Sequence, residues 1–163
     1  MKINNNFDVI LSIDPGLVSC GFSVLKKQGE NVFLLEYGVL KMRSSQSVPD
    51  RLGQFYTFCQ EKISLYQINC LALETPFLGK NASSFLKLGY LRGVLYLISN
   101  LNNLRLLEFS PCEVKSTLTG YGFAQKEQVA RFLMKLFPTI SASTKLDATD
   151  ALAVGLCCAM RSF

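Results

Sequence analysis

The order of apolar segments along the chain predicts an α/β fold, in which a mixed sheet is covered by helices on both faces. Three segments with strand character come first, a helix and a strand then alternate twice, and helical segments close the chain. The length of 163 residues, of which 49% are hydrophobic, is enough to bury a substantial core in one domain. Residues 1–163 are therefore predicted to form a single domain with a mixed five-stranded sheet.

Strand character is concentrated in five short segments that are rich in β-branched and apolar residues. They are residues 7–13, 20–26, 32–42, 69–74 and 104–109. The segment KKQGEN predicts a turn that joins the second and third strands as a hairpin. Pro15 and Gly16, which follow the first strand, are the preferred central residues of a type II turn. The sheet thus begins as a meander and continues through helical crossovers.

Helical periodicity marks four longer segments. They are residues 52–66, 83–102, 125–136 and 147–161. The segment SSQSVP, residues 44–49, predicts a loop before the first of them. Gly89 and Gly93 lie one turn apart in the second helix, where missing side chains permit another backbone to approach. Two interpretations remain open for this pair, namely packing against the sheet and contact with a second subunit.

The composition excludes several kinds of site. The chain has no histidine, which removes Ser-His and Cys-His nucleophile pairs and any imidazole general base. Its six cysteines are scattered without a CxxC spacing, which argues against zinc and for a reducing compartment. The longest apolar runs are too short for a membrane span, and no signal peptide is expected at the N-terminus. We expect a soluble cytoplasmic protein without a membrane partner, whose chemistry uses carboxylates, lysines, hydroxyls or a hard metal ion.

The charge distribution favours a polyanionic partner. The net charge is +5, and residues 80–145 carry nine basic side chains against three acidic ones. Setting aside the four acids discussed next leaves 17 basic residues against 8 acidic ones, a balance of +9. A nucleic acid is the expected partner, with affinity that falls steeply as salt rises.

Four acids stand at positions where structure alone does not require them. Asp14 and Glu74 each follow an apolar strand, where a desolvated carboxylate is costly unless it is paired. Asp147 and Asp150 lie three residues apart, on one face of the last helix. The helix dipole alone could account for that pair, but not for the two strand-end acids. Together the four predict a carboxylate cluster that binds Mg²⁺ or Mn²⁺, in which two ions could support phosphoryl transfer.

Four successive motifs resemble those of the RuvC family of Holliday junction resolvases. They are ILSIDPGLVSCGFSVL, LALETPFLGKNASSFLKLGYLRGV, PCEVKSTLTGYGFAQKEQV and KLDATDALAVG, and they cover the chain from about residue 10 to about residue 159 in the family order. The resemblance implies an RNase H-like fold and a Mg²⁺-dependent homodimer, with Mn²⁺ as a substitute and one or two ions per subunit. It also implies symmetric nicking of a four-way DNA junction in the bacterial cytoplasm, giving 5'-phosphate and 3'-hydroxyl ends. RuvA and RuvB are the branch-migration partners that it implies.

The same resemblance assigns roles residue by residue. It makes Asp14, Glu74, Asp147 and Asp150 the catalytic, metal-binding acids, although some relatives have histidine at the position of Asp147, so this residue could be a ligand or a proton acceptor. The implied DNA contacts are Phe77, Lys80, Lys87, Lys115 and Lys126. Each of these five has an ordinary alternative, a core position for Phe77 and a solvated surface position for the lysines. The alternatives are an RNase H-like nuclease with a different substrate and a noncatalytic junction-binding protein, the latter disfavoured because all four acids are present. An actin-like ATPase is disfavoured because it needs two such domains to enclose a nucleotide.

Overall fold

A five-stranded mixed sheet forms the centre of the molecule in the computed structural model, which describes residues 7–76, 82–140 and 146–161. The strand order is β3-β2-β1-β4-β5. The strands are β1 Phe7–Asp14, β2 Ser19–Gln28, β3 Asn31–Lys41, β4 Cys70–Glu74 and β5 Arg105–Phe109. The prediction of a mixed five-stranded sheet that opens with a meander is confirmed.

The strand directions bring two predicted acids to the same edge of the sheet. β1 and β2 are antiparallel and pair Asp14 with Gly21, whereas β1 and β4 are parallel and pair Ile13 with Leu73. β5 continues the sheet parallel to β4. Because the carboxyl ends of parallel strands meet at one edge, Asp14 and Glu74 end neighbouring strands side by side.

Helices cover both faces of this sheet. They are α1 Val48–Tyr66, α2 Ala82–Leu101, α3 Pro111–Thr119, α4 Lys126–Leu136 and α5 Leu146–Arg161. One apolar layer joins β1 and β4 to α1 and α2, and the other joins the sheet to α3, α4 and α5. In the described parts of the chain, no helix is both long and apolar enough to cross a membrane.

Helix α3 is absent from the sequence-based prediction. Its start is well specified, because Ser110 and Glu113 form a reciprocal capping box and Pro111 stands in the first turn. However, its nine residues bury only Val114 and Leu118, so its apolar pattern is too short to stand out. The capping box was the signal that could have revealed it.

Helix α1 begins earlier than predicted. The sequence predicts a loop over residues 44–49, but the helix starts at Val48. Ser47 caps it by accepting a hydrogen bond from the backbone N–H of Asp50 at 3.2 Å. Pro49 is compatible with this first turn, where a backbone N–H has no helical partner. The proline therefore marks the beginning of the helix and not the loop before it.

The two glycines of α2 face away from the sheet. Leu91, Leu95 and Ile98 form the buried side of α2, whereas Gly89 and Gly93 are exposed and a Cβ at either position would meet no atom within 4 Å. Their interpretation as a packing surface against the sheet is therefore wrong. Contact with a second subunit stays a prediction.

Candidate active site

Strand alternation directs the two strand-end acids toward α5. Side chains two residues apart in a strand share a face, so Asp14 lies on the side of Ile10, and Glu74 on the side of Cys70. Ile10 and Cys70 both belong to the apolar layer under α5. The two carboxyl groups therefore point to the face on which the last helix begins.

A close backbone approach brings Asp147 to this place. A Cβ at position 21 would lie 1.9 Å from the carbonyl oxygen of Asp147, so only glycine lets the first turn of α5 rest against β2. Gly21 is the register partner of Asp14, which fixes Asp147 beside the end of β1. The sequence analysis missed Gly21, although a glycine inside an apolar strand is a known sign of such an approach.

The four acids act on one another electrostatically. Burial, followed by the charges of Asp150, Asp147 and Glu74, raises the pKa of Asp14 from its ordinary value of 3.8 to about 7. Burial and then the charge of Asp150 also raise the pKa of Glu74. Like charges close together disfavour ionisation. The sequence-predicted acids are thus brought together at the α5 edge of the sheet.

Two polar side chains hold the helix-borne acids. The Lys126 ammonium lies 2.6 Å from Oδ2 of Asp150, and the Ser19 hydroxyl donates to Oδ2 of Asp147. Hydrogen bonding to Asp150 is the largest cause that raises the pKa of Lys126. The ammonium offsets the charge of Asp150, and the hydroxyl stabilises the Asp147 carboxylate by hydrogen bonding.

A cavity of about 390 Å³ gives access to this cluster. Its acidic lining comprises Asp14, Glu74 and Asp150, and its basic lining comprises Lys115 and Lys126. α3 and α4 therefore place positive charge beside the acids. Lys87 is exposed on α2 and is not part of this lining. Phe77 and Lys80 lie outside the described residues, so their assignments remain predictions.

The chemistry of the donor set suits a hard divalent cation, because carboxylate oxygens are the preferred ligands of Mg²⁺. Burial, followed by the charges of the other acids, raises the pKa of Asp14, and a cation at this place would offset the repulsive part. Within the described part of the chain, the side chains as they stand do not form a group of three acids around one ion position. Asp147 and Asp150 are turned to Ser19 and Lys126 instead.

The turn after β1 differs from the predicted type II turn. Such a turn needs a positive φ at Gly16, but among the described glycines only Gly29 and Gly120 have one. The reason for glycine is again a close approach, because a Cβ at position 16 would lie 2.1 Å from the carbonyl oxygen of Ser19. This tight segment brings Ser19 back to the site, where its hydroxyl contacts Asp147.

Arg92 is another residue that the sequence analysis missed. It is buried in α2, and its Nη1 donates to the main-chain carbonyl oxygen of Glu74 at 2.6 Å. It also lines a second cavity, of about 410 Å³, that adjoins Asp14 and Glu74. A single arginine within the apolar run LGYLRGVLYLI was the available signal, because a buried charge is seldom kept without a partner.

A family model and two curated relatives that resemble this sequence carry the same description. A family model described as crossover junction endodeoxyribonuclease RuvC matches residues 10–158. A protein of that name from Chlorobium phaeobacteroides is 40% identical over 153 residues, covering 94% of this chain and 82% of its own length. Another from Rickettsia felis is 37% identical over 150 residues, covering 92% of this chain and 96% of its own length.

A solved structure agrees with the sequence relatives. Thermus thermophilus RuvC in complex with a Holliday junction substrate aligns with a TM-score of 0.86 and 25% identity, covering 94% of this chain and 93% of that one. The prediction of an RNase H-like α/β fold is confirmed by this match. The match of the family model over nearly the whole chain shows that the protein belongs to the RuvC family of crossover junction endodeoxyribonucleases.

Proposed function

We propose that this protein resolves Holliday junctions in DNA recombination and repair, cutting two strands of like polarity by metal-dependent phosphodiester hydrolysis. The observation that carries the proposal is the convergence of Asp14, Glu74, Asp147 and Asp150 at one sheet edge, in a chain of this family. The Thermus thermophilus relative, whose fold matches over 94% of this chain, was solved with a Holliday junction substrate. Nicks that leave 5'-phosphate and 3'-hydroxyl ends are the expected products.

The acids provide the catalytic centre in this proposal. Asp14, Glu74 and Asp150 would hold one or two Mg²⁺ or Mn²⁺ ions, which supply Lewis-acid activation and charge stabilisation at the phosphodiester. β1 and β4 fix two of these carboxylates, and the buried α5 fixes the third. Asp147 keeps its hydrogen bond from Ser19 and serves either as a further ligand or as a proton acceptor.

The basic side chains at the cavity bind the DNA backbone. Lys115 and Lys126 line the cavity that holds the acids, and Lys126 is 63% exposed at its side chain, so it can reach a phosphate. Lys80 and Lys87 would add backbone contacts, and Phe77 would stack on unpaired bases, as the family resemblance implies. Neutralising phosphates releases counterions, so junction affinity should fall steeply with salt.

A homodimer would present two equivalent sites to a junction with approximate two-fold symmetry. The outer face of α2 is suited to a second copy of the chain. Large apolar side chains are exposed there beside Gly89 and Gly93, which allow close helix approach. They are Leu86, Tyr90 and Leu97, with 56%, 41% and 53% exposure.

Sedimentation of Leu97→Glu tests the dimer. This variant should sediment as a monomer at concentrations at which the wild type is a dimer. Leu65→Glu is the matched control, because Leu65 is 68% exposed near the end of α1, and it should remain dimeric. Dimers of Leu97→Glu as stable as the wild type would place the interface elsewhere.

Cleavage specificity tests the proposed function itself. A synthetic four-way junction and a linear duplex of the same sequence should be compared with Mg²⁺ and with a chelator. We expect paired nicks in the junction, little cutting of the duplex and none with the chelator. Equal cutting of both DNAs would favour an RNase H-like nuclease with a broader substrate range. Junction binding without cutting would favour a noncatalytic protein.

RuvA and RuvB are proposed as partners in the bacterial cytoplasm. Adding both proteins to the junction assay should change the rate or position of cutting by this chain if they act together. Identical cutting with and without them would remove these partners from the proposal.

A further inference from the structure

Arg92 is a buried cation to which the proposed catalytic chemistry assigns no role. The residue is 6% exposed, and a buried charge is costly unless it is paired and hydrogen-bonded. Its guanidinium group donates from Nη1 to the Glu74 carbonyl oxygen at 2.6 Å. From Nη2 it donates to the Glu108 carboxylate and to the Tyr96 hydroxyl, the latter at 3.2 Å. One side chain of α2 therefore ties together the ends of β4 and β5.

At Glu74, strand β4 is paired with β5 on one side but no longer with β1 on the other. The pairing of β1 with β4 ends at Ile13 and Leu73. On the other side, Glu74 pairs with Phe109, and the backbone N–H of Thr75 donates to the Phe109 carbonyl oxygen at 2.8 Å. Arg92 supports the residue just past the last β1 pair. It thereby fixes the main chain from which the Glu74 carboxylate projects.

The guanidinium group is itself held in place. The Tyr96 hydroxyl donates to Oε1 of Glu108 at 2.9 Å, and the Arg92 Cζ atom lies 5.7 Å from the centre of the Tyr96 ring. These contacts need the planar, forked shape of arginine. A lysine keeps the charge but offers a single nitrogen for acceptors that lie on three elements.

We propose that Arg92 is a positioning residue, which sets the location of the Glu74 carboxylate by holding its main-chain carbonyl. The inference rests on the proposed function, because Glu74 matters here as a metal-binding acid. Partners that orient metal ligands without touching the ion affect metal affinity or activity by about 10- to 100-fold. Arg92 should act on this scale, without a direct role in binding the junction.

Arg92→Lys and Arg92→Met test this role, with Arg105→Met as the matched control. Arg105 lies at the opposite end of β5, in an ion pair with Asp8 at 2.8 Å, away from the acids. Four measurements are needed on each protein. They are thermal stability, junction binding in chelator, Mn²⁺ binding to the metal-free protein by calorimetry, and single-turnover junction cleavage.

We expect Arg92→Lys to bind the junction as the wild type does, but to bind Mn²⁺ about tenfold more weakly and to cleave about tenfold more slowly. Because this variant keeps the positive charge, weaker ion binding reports a displaced carboxylate and not a changed field. Arg92→Met should cleave more slowly still, whereas Arg105→Met should cleave and bind Mn²⁺ like the wild type.

Three results would overturn the inference. They are wild-type Mn²⁺ binding and cleavage by Arg92→Lys, equal losses in the Arg92 variants and in Arg105→Met, and weaker junction binding that accounts for the whole loss of cleavage. If Arg92→Met does not fold, Arg92→Lys alone decides. A wild-type protein that neither binds Mn²⁺ nor cleaves the junction would contradict the proposed function instead, so the two failures are distinguishable.

Discussion

Gly21→Ala should move the acids of α5 away from the two strand-end acids. The new Cβ would lie 1.9 Å from the carbonyl oxygen and 2.4 Å from the carbonyl carbon of Asp147, both of which are backbone atoms. Ordinary contact begins at 3.4 Å, so α5 and β2 must move apart by about 1.5 Å. Asp147 then moves away from Asp14, the register partner of residue 21.

The expected losses follow from this displacement. A misplacement of about 1 Å at a catalytic group can reduce the rate about 100-fold, and forcing extra volume into a packed contact costs about 1–3 kcal/mol. Single-turnover cleavage of a four-way junction measures the first effect, and urea unfolding measures the second. Junction binding in chelator should fall less than cleavage, because the exposed Lys126 side chain can adapt to a small shift of α5.

Gly53→Ala is the matched control for this prediction. A Cβ at position 53 would meet no atom within 4 Å on the exposed side of α1, so this variant should keep its activity and be no less stable. If Gly21→Ala cleaved the junction at the wild-type rate, Asp147 would not need its place beside Asp14. The link between the β2–α5 contact and catalysis would then be wrong.

Three further perturbations test other parts of the site. In metal-free protein the Asp14 carboxyl should titrate near 7 by NMR. Because folding raises this pKa from 3.8, the free energy of unfolding should fall as the pH rises between these two values. A titration near 4 would contradict the burial and the acidic surroundings assigned to Asp14. Saturating Mg²⁺ should lower the pKa of Asp14. Lys126→Met should reduce the salt dependence of junction binding by about one phosphate contact, and an unchanged slope would remove Lys126 from the DNA interface. Gly155→Ala should lower the unfolding free energy by about 1–3 kcal/mol, because its Cβ would lie 2.5 Å from Oγ of Ser12; unchanged urea unfolding would contradict the tight α5 packing.

The sequence was sufficient to predict the positions of the four acids because local rules determine them. Strand alternation and parallel pairing explain why Asp14 and Glu74 share an edge and a face. The spacing of Asp147 and Asp150 explains why both lie on one side of α5. These rules place each acid at the end of its own element, and the contact of α5 with β2 then joins the two pairs.

Long-range contacts account for what the sequence analysis missed or misjudged. The sequence indicates a turn residue at Gly16, yet glycine is needed there because the Ser19 carbonyl group lies so close. Gly21 and Arg92 act through backbone atoms of Asp147 and Glu74, which are remote in sequence. The direction of Gly89 and Gly93 depended on which side of the nearly uniformly apolar α2 meets the sheet. In each case the partner is defined only by the folded chain.

The central claim is that the clustered acids are required for cutting and not for binding the junction. The most direct measurement compares wild type with Asp14→Asn, on one labelled four-way junction, for binding in chelator and for cleavage in Mg²⁺. We expect Asp14→Asn to bind like the wild type, since the substitution removes a negative charge without displacing a lysine, and to produce no paired nicks. Cleavage by Asp14→Asn at the wild-type rate would contradict the assignment of the catalytic centre.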